Sequence, residues 1–187
     1  MESKKDIRRI SLNKRNALSE ELWRSYTASI TETVISHPFF QEASVIYSYV
    51  DYRNEVGTRA MIEAAWKSGK NVAVPKVEGD EMSFYYISHW DDLEEGYKGI
   101  LEPTDTTIAL DDSGLIIMPG AAFDKNRNRI GYGKGFYDKF LQKHSGFHTI
   151  ALGFSCQIVD YIPTDNYDMK PQVLITEENI YDEFFAK

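Results

Sequence analysis

Short apolar runs recur along the chain from residue 43 onward: 43–50 (ASVIYSYV), 71–74 (NVAV), 115–118 (LIIM), 149–154 (TIALGF) and 173–176 (VLIT). Continuous apolar runs of about four to eight residues, rich in β-branched side chains, are the pattern of strands buried on both faces. Residues 82–88 (MSFYYIS) are less apolar in their alternation and predict an edge strand. Between these runs, residues 61–67 predict a helix closed by Gly69, and residues 136–143 predict another. Pro75 is expected to end the strand that begins at Asn71. Ahead of them all, residues 3–18 read as a basic, weakly amphipathic helix. Ser19 followed by Glu20 and Glu21 reads as the N-cap and acidic first turn of a second helix, which stops before His37-Pro38.

Strands that alternate with helices in this way predict an α/β fold. The expectation is a single three-layer domain over residues 1–187, with a mostly parallel open sheet and helices on both faces. The two N-terminal helices are expected to pack against it. Ligands of such sheets gather at the carboxyl ends of the strands, so the loops after Val50, Val74, Met118, Phe154 and Thr176 are the ones to inspect.

Composition narrows the function. At 187 residues the chain fits one core, and 42% hydrophobic residues with twelve Tyr and ten Phe argue against disorder. The net charge of −8 disfavours nucleic acid as a partner, so an anionic ligand requires a local cluster of Lys and Arg. The single cysteine, Cys156, excludes an intramolecular disulfide and a cysteine metal site, and reads as a small buried hydrophobe. The first fifteen residues lack the apolar core of a signal peptide, and no run is long enough for a membrane span. A reducing cytoplasm is the expected setting.

The segment 119–141 carries the densest chemical signal. Gly131, Gly133 and Gly135 alternate with other residues, Arg129 precedes them, and Lys134 lies among them. Glycines allow successive N–H groups to converge on an anion, and the helix that follows adds its N-terminal dipole. Arg129 and Lys134, read as exposed charges, supply the positive charge; the spacing is neither a Walker A nor a dinucleotide-binding pattern. Asp138, one turn into the helix, suits either a metal or the helix dipole. Lys4 and Arg8, four residues apart, share a helix face, which is either solvated or turned to a ligand. Glu55, leaving the first strand in DYRNEVGT, is either an acceptor for a ligand's N–H donors or a cap for the next helix. Asp168, with Asp165 nearby, lies in a turn-rich loop before the last strand.

The order of these segments is more specific than any one of them. K-x-x-x-R at 4–8, N-E-x-x-T at 54–58, P-G-x-x-F-D at 119–124, R-x-G-Y-G-K-G-F-Y-D at 129–138 and D-M-K at 168–170 together resemble the 5-formyltetrahydrofolate cyclo-ligase (5,10-methenyltetrahydrofolate synthetase) family. The resemblance spans residues 4–176. It implies conversion of 5-formyltetrahydrofolate to 5,10-methenyltetrahydrofolate, with ATP going to ADP and phosphate through a phosphorylated formyl intermediate, and with Mg²⁺. It further implies that Lys4 or Lys5, Arg8 and residues Arg129, Ile130, Gly131, Tyr132, Gly133, Lys134, Gly135, Phe136 and Tyr137 bind ATP. Val50 and Glu55 would hold the folate, with Tyr132 to Phe136 between the two substrates, and Asp138 and Asp168 would hold the metal. Arg129, Tyr132 and Lys134 are the residues it places nearest the chemistry, in a monomer that needs no nucleic acid or membrane. A folate- or nucleotide-binding module without turnover is the reading from another class, and an enzyme acting on sugar phosphates or acyl-CoA is a third.

Overall fold

The computed structural model describes residues 3–96, 99–104 and 107–183. It opens with three helices, α1 (Lys4–Asn16), α2 (Glu20–Ser36) and α3 (Pro38–Glu42), followed by β1 (Val45–Ser48) and α4 (Arg59–Lys67). Strands β2 (Asn71–Glu78), β3 (Glu81–Ile87), β4 (Leu93–Glu95), β5 (Leu101–Pro103), β6 (Gly114–Met118), β7 (Ala122–Asp124) and β8 (Arg129–Ile130) come next. The chain ends through α5 (Phe136–Lys143), β9 (Phe147–Leu152), β10 (Ile158–Val159), β11 (Val173–Ile175) and β12 (Ile180–Tyr181). The main sheet has seven strands in the order β12-β11-β9-β6-β1-β2-β3. β11, β9, β6, β1 and β2 are parallel, and β12 and β3 close the two edges antiparallel.

Alternate residues of the central strands feed two separate cores. Ile46, Leu115, Ile117 and Ile150 join Ile30, Val34 and Phe40 and the α4 residues Met61, Ile62 and Ala65 on one face. Tyr47, Ile116, Met118 and Ala151 point to the other face, where Phe84, Leu141 and Phe147 cover them with partly buried Phe140 and Tyr137. These two packed faces make the expected three layers. The second helix begins as predicted, with Ser19 Oγ accepting the Leu22 N–H at 3.2 Å. The helix at Phe136–Lys143 has the predicted bounds, and β3 lies at the predicted edge. Among the described residues no helix is long and apolar enough to cross a membrane.

The departures have physical reasons. Pro75 does not end β2, which runs on to Glu78. Pairing with β1 stops at Ala73, so β2 beyond that point has only β3 as a strand neighbour, and edge positions tolerate proline. A second sheet, β10-β7-β8, sits past the end of β6, made of strands of two or three residues that no periodicity reveals. α2 packs on α3, α4 and β11, whereas α1 reaches on to β7 and the 3-10 turn Ser155–Gln157. Ile7 anchors it there against Ala122, Ile130 and Ile162.

The P-G-x-x-F-D segment builds the frame of this small sheet. Asp124 is fully buried and accepts from the N–H groups of Asn126 (2.9 Å), Asn128 (2.9 Å) and Ile162 (3.2 Å) and from Asn128 Nδ2 (2.8 Å). That network folds the turn which returns the chain at Arg129. Phe123, also fully buried, lies on Gly120 and Gly153, the residues that follow β6 and β9. A Cβ on Gly153 would come within 2.5 Å of the Phe123 ring, and one on Gly120 closer still. Gly153→Ala is therefore expected to overpack the core and cost about 1–3 kcal/mol, measured as a lower urea midpoint at unchanged slope.

Candidate functional site

The sheet order places a crevice before any side chain is considered. From β1 the chain goes to β2 on one side, and on the other side β6 leads on to β9 and β11. The strand order thus reverses between β1 and β6, and open α/β sheets bind ligands outside the carboxyl ends of strands at such a point. The loops that leave those two ends are residues 49–58 and 119–135, which hold Glu55 and the glycines.

The first loop is braced from within. Thr58 Oγ1 donates to Tyr49 O at 2.8 Å, Asp51 Oδ1 accepts the Thr58 N–H at 2.8 Å, and the Tyr49 hydroxyl donates to Val56 O at 2.8 Å. Trp23 of α2 donates its indole N–H to Glu55 O at 2.8 Å. Glu55 is thereby held facing inward, 9% exposed, with Oε2 accepting the Tyr52 N–H at 2.9 Å. Its other oxygen accepts from the Tyr132 hydroxyl. Glu55 makes no capping bond to α4, whose preceding residue is Thr58, so the capping reading fails. Burial raises the carboxyl above the usual range, against the hydroxyl of Tyr132, the N–H of Tyr52 and the charge of Arg15, which favour ionisation.

The glycine segment is met from above by α1. Arg8 Nε donates to Gly131 O at 2.8 Å, and its guanidinium stands beside Gly133. Gly133 and Gly135 have φ of 106° and 65°, which only glycine adopts readily, and Gly135 is the N-cap of α5. Lys134 between them is exposed, and the only non-glycine residues with positive φ among those described are Arg53 and Arg127. Lys134 is thus free of backbone strain. Tyr132 is 47% exposed by its ring, yet its hydroxyl is enclosed: Arg15 NH1 donates to it at 2.7 Å and it donates to Glu55. That enclosure first, and the Glu55 charge second, push its phenol well above the ordinary value. The Tyr137 hydroxyl is buried without a hydrogen-bond partner among the described residues, and its phenol is also raised by burial.

The two candidate metal acids are linked through the backbone of Met169. Asp138 Oδ1 accepts Arg129 NH2 at 3.0 Å and the N–H of Met169, the residue after Asp168, at 2.9 Å. Asp168 Oδ2 accepts Lys4 Nζ at 2.6 Å and the Asp165 N–H at 2.7 Å. Lys4 also reaches Asp165 at 2.7 Å. Burial alone would lower the Lys4 pKa, but these bonds outweigh it and hold the ammonium above the usual lysine value. Asp138 Oδ2 and Asp168 Oδ1 have no hydrogen bond among the described residues. Among the described residues no group of three or more His, Cys, Asp or Glu side chains is placed to hold a metal, so a cation here would take at most these two carboxylates and draw its other ligands from water and phosphate oxygens.

The structure therefore joins Lys4, Arg8, Arg129–Asp138 and Asp168 into one cluster and ties Glu55 to it through Tyr132. Lys5 is exposed on the outer side of α1, so Lys4 is the lysine that faces the site. Val50 is half-buried and packs on the main core at the mouth of its loop. Arg129 corrects the expectation of an exposed charge: its side chain is 4% exposed, inside the pair with Asp138, with NH1 on Pro119 O at 3.3 Å. Sequence reading missed Arg15, which is buried at the inner end of α1. Its spacing is the signal, since residues 4, 8, 11 and 15 fall on one helical face. Cys156 is partly buried against the main core and its thiol is pushed up by burial, as a packing residue.

Comparison with known proteins matches the chain to one family. The family model for 5-formyltetrahydrofolate cyclo-ligase matches residues 1–177. The 5-formyltetrahydrofolate cyclo-ligase of Mus musculus is 29% identical over 195 residues, covering 95% of this chain and 95% of its own. The NMR structure of Aquifex aeolicus 5,10-methenyltetrahydrofolate synthetase superposes with a TM-score of 0.86 at 31% identity, covering 98% of this chain and 94% of that one. A 5,10-methenyltetrahydrofolate synthetase from Mycoplasma pneumoniae shares the fold, with a TM-score of 0.74 at 22% identity over 94% of this chain and 99% of that chain.

The contrast between the two loop cations is testable. Arg129→Ala strands a partly buried carboxylate and is expected to cost about 2–4 kcal/mol of stability. Lys134→Ala removes an exposed charge and should stay within about 0.5 kcal/mol of the parent. Chemical denaturation of the two variants checks this, and equal stabilities would show that Arg129 is not a structural partner of Asp138.

Proposed function

The chain belongs to the 5-formyltetrahydrofolate cyclo-ligase family, and on that premise we propose that it converts 5-formyltetrahydrofolate to 5,10-methenyltetrahydrofolate with cleavage of ATP to ADP and phosphate. The observation that carries this reading is the meeting of two unlike groups of side chains at one tyrosine. A cluster of cations with two aspartates lies on one side, a buried carboxylate lies on the other, and Tyr132 stands between them.

The chemistry explains why both are needed. A formamide oxygen leaves poorly, so it is first joined to the γ-phosphorus of ATP while the bond from that phosphorus to the β-bridging oxygen breaks and ADP departs. The N10 amine then attacks the formyl carbon, loses its proton, and the former formyl oxygen leaves within inorganic phosphate. Phosphoryl transfer asks the protein for alignment and charge stabilisation. Lys4, Arg8 and Lys134 supply positive charge to the phosphates, and the N–H groups of residues 131–136 line their path. Asp138 and Asp168 would hold Mg²⁺, which neutralises phosphate charge when bound. Glu55 accepts N–H donors of the pterin, with Val50 beside it. A monomer is the proposed working unit. The acidic surface and single cysteine fit a reducing cytoplasm without nucleic-acid or membrane partners.

Purified protein with Mg·ATP and 5-formyltetrahydrofolate should produce the methenyl absorbance with one ADP per product, and ADP should form only when the folate is present. No absorbance change with any divalent cation overturns the assignment in favour of a binding module. Glu55→Gln keeps the side chain's size but loses its charge, so the folate KM should rise about ten- to a hundredfold, with the ATP KM nearly constant.

A further inference from the structure

Among the described residues Arg15 forms no ion pair with a carboxylate. It is 4% exposed, its NH1 donates at 2.7 Å to the Tyr132 hydroxyl, and its guanidinium carbon stands 5.9 Å from the centroid of that ring. Its Nε is buried without a partner among the described residues. A buried guanidinium in this position needs a counter-charge, and among the described residues the nearest is Glu55, which is linked to it by the Tyr132 hydroxyl and also feels its charge directly. We infer that Arg15 is a positioning residue of the folate pocket: acting through the Tyr132 hydroxyl, it holds the Glu55 carboxylate in place and charged, ready for the substrate's N–H donors. This rests on the proposed folate role of Glu55.

The groups that face Glu55 give the sign. Asp51 and Tyr49 act from its own loop, Tyr132 and Tyr137 from the glycine segment and α5, and Arg15 from α1. Burial and Asp51 oppose ionisation of Glu55, while the Tyr132 and Tyr52 bonds and the Arg15 charge favour it. Cutting the relay therefore raises the Glu55 pKa further. The acceptor is the ionised form, so the loss of folate affinity is present below that pKa and fades as pH rises through it.

The experiment follows Glu55 directly in the ligand-free protein, by ¹³C titration of glutamate carboxyls assigned against Glu55→Gln. Its midpoint should move upward in both Arg15→Gln and Tyr132→Phe, and Arg15→Lys should restore part of the shift. The 5-formyltetrahydrofolate Kd of Tyr132→Phe should weaken about three- to tenfold at neutral pH and approach the parent value as pH rises. Tyr132→Phe keeps the ring and removes only the hydroxyl, so it carries the test if Arg15→Gln does not fold. An unchanged Glu55 midpoint in Tyr132→Phe overturns the relay and leaves Arg15 a packing residue. A midpoint that moves while folate affinity stays flat with pH instead overturns the folate role of Glu55.

Discussion

Positive charge held inside an acidic protein is the constraint from which the rest of this site follows. A chain of net charge −8 cannot draw a polyanion by its overall field, so it must gather cations locally and keep them partly out of water. Each buried cation then requires a nearby acceptor, because an unpaired charge in a dry setting is costly. Lys4 is held by Asp165 and Asp168, Arg129 by Asp138, and Arg15 by Tyr132 with Glu55 behind it. The partners of Lys4 and Arg15 come from distant parts of the chain, whereas Asp138 follows Arg129 closely. The need to bring them together explains why α1 leaves the main sheet and seats Ile7 on β7 and β8.

Seen this way, α1 reverses the ordinary logic of an amphipathic helix. Its inward face carries Lys4, Arg8, Ser11 and Arg15 around a single deeply buried apolar anchor, Ile7. Its outward face carries Lys5, Arg9 and Lys14. A reader of hydrophobic pattern sees charge on every side and expects a solvated helix. The charges that matter differ from the others in having partners opposite them: Asp165 and Asp168 for Lys4, the Gly131 carbonyl for Arg8 and the Tyr132 hydroxyl for Arg15, all more than a hundred residues away in sequence.

Apart from its two-residue edge strand β12, the main sheet was legible, because its central strands are buried on both faces and read as apolar runs. The helix at Phe136–Lys143 and the start of α2 at Ser19 were legible from their own local signals. The small sheet was not, since two- and three-residue strands leave no period to detect, and its turn is held by Asp124, which resembles any loop aspartate until Ile162 arrives. The same division runs through the site. Gly133 and Gly135 advertise their positive φ, and Asp138 and Lys4 carry visible charges. The burial of Arg129, the inward turn of Glu55 and the part played by Arg15 depend on tertiary neighbours that local sequence does not contain.

The pairs that fill the site also differ in how firmly they are made, and that difference has a functional sense. Arg129 is nearly enclosed and is fixed by Asp138 and the Pro119 carbonyl, so it belongs to the frame that shapes the turn into α5. Lys4 is 29% exposed, and one of its partners, Asp165, is 73% exposed. Exposed ion pairs of that kind contribute about 1 kcal/mol or less, so an arriving phosphate oxygen can replace a carboxylate at Lys4 with little loss. Replacing Asp138 at Arg129 would instead strand a buried charge, at a cost of several kcal/mol. Under the proposed function the nucleotide would therefore exchange partners with the α1 lysine while the arginine stays paired. The enzyme would keep a rigid turn beneath the phosphates and a yielding helix end above them.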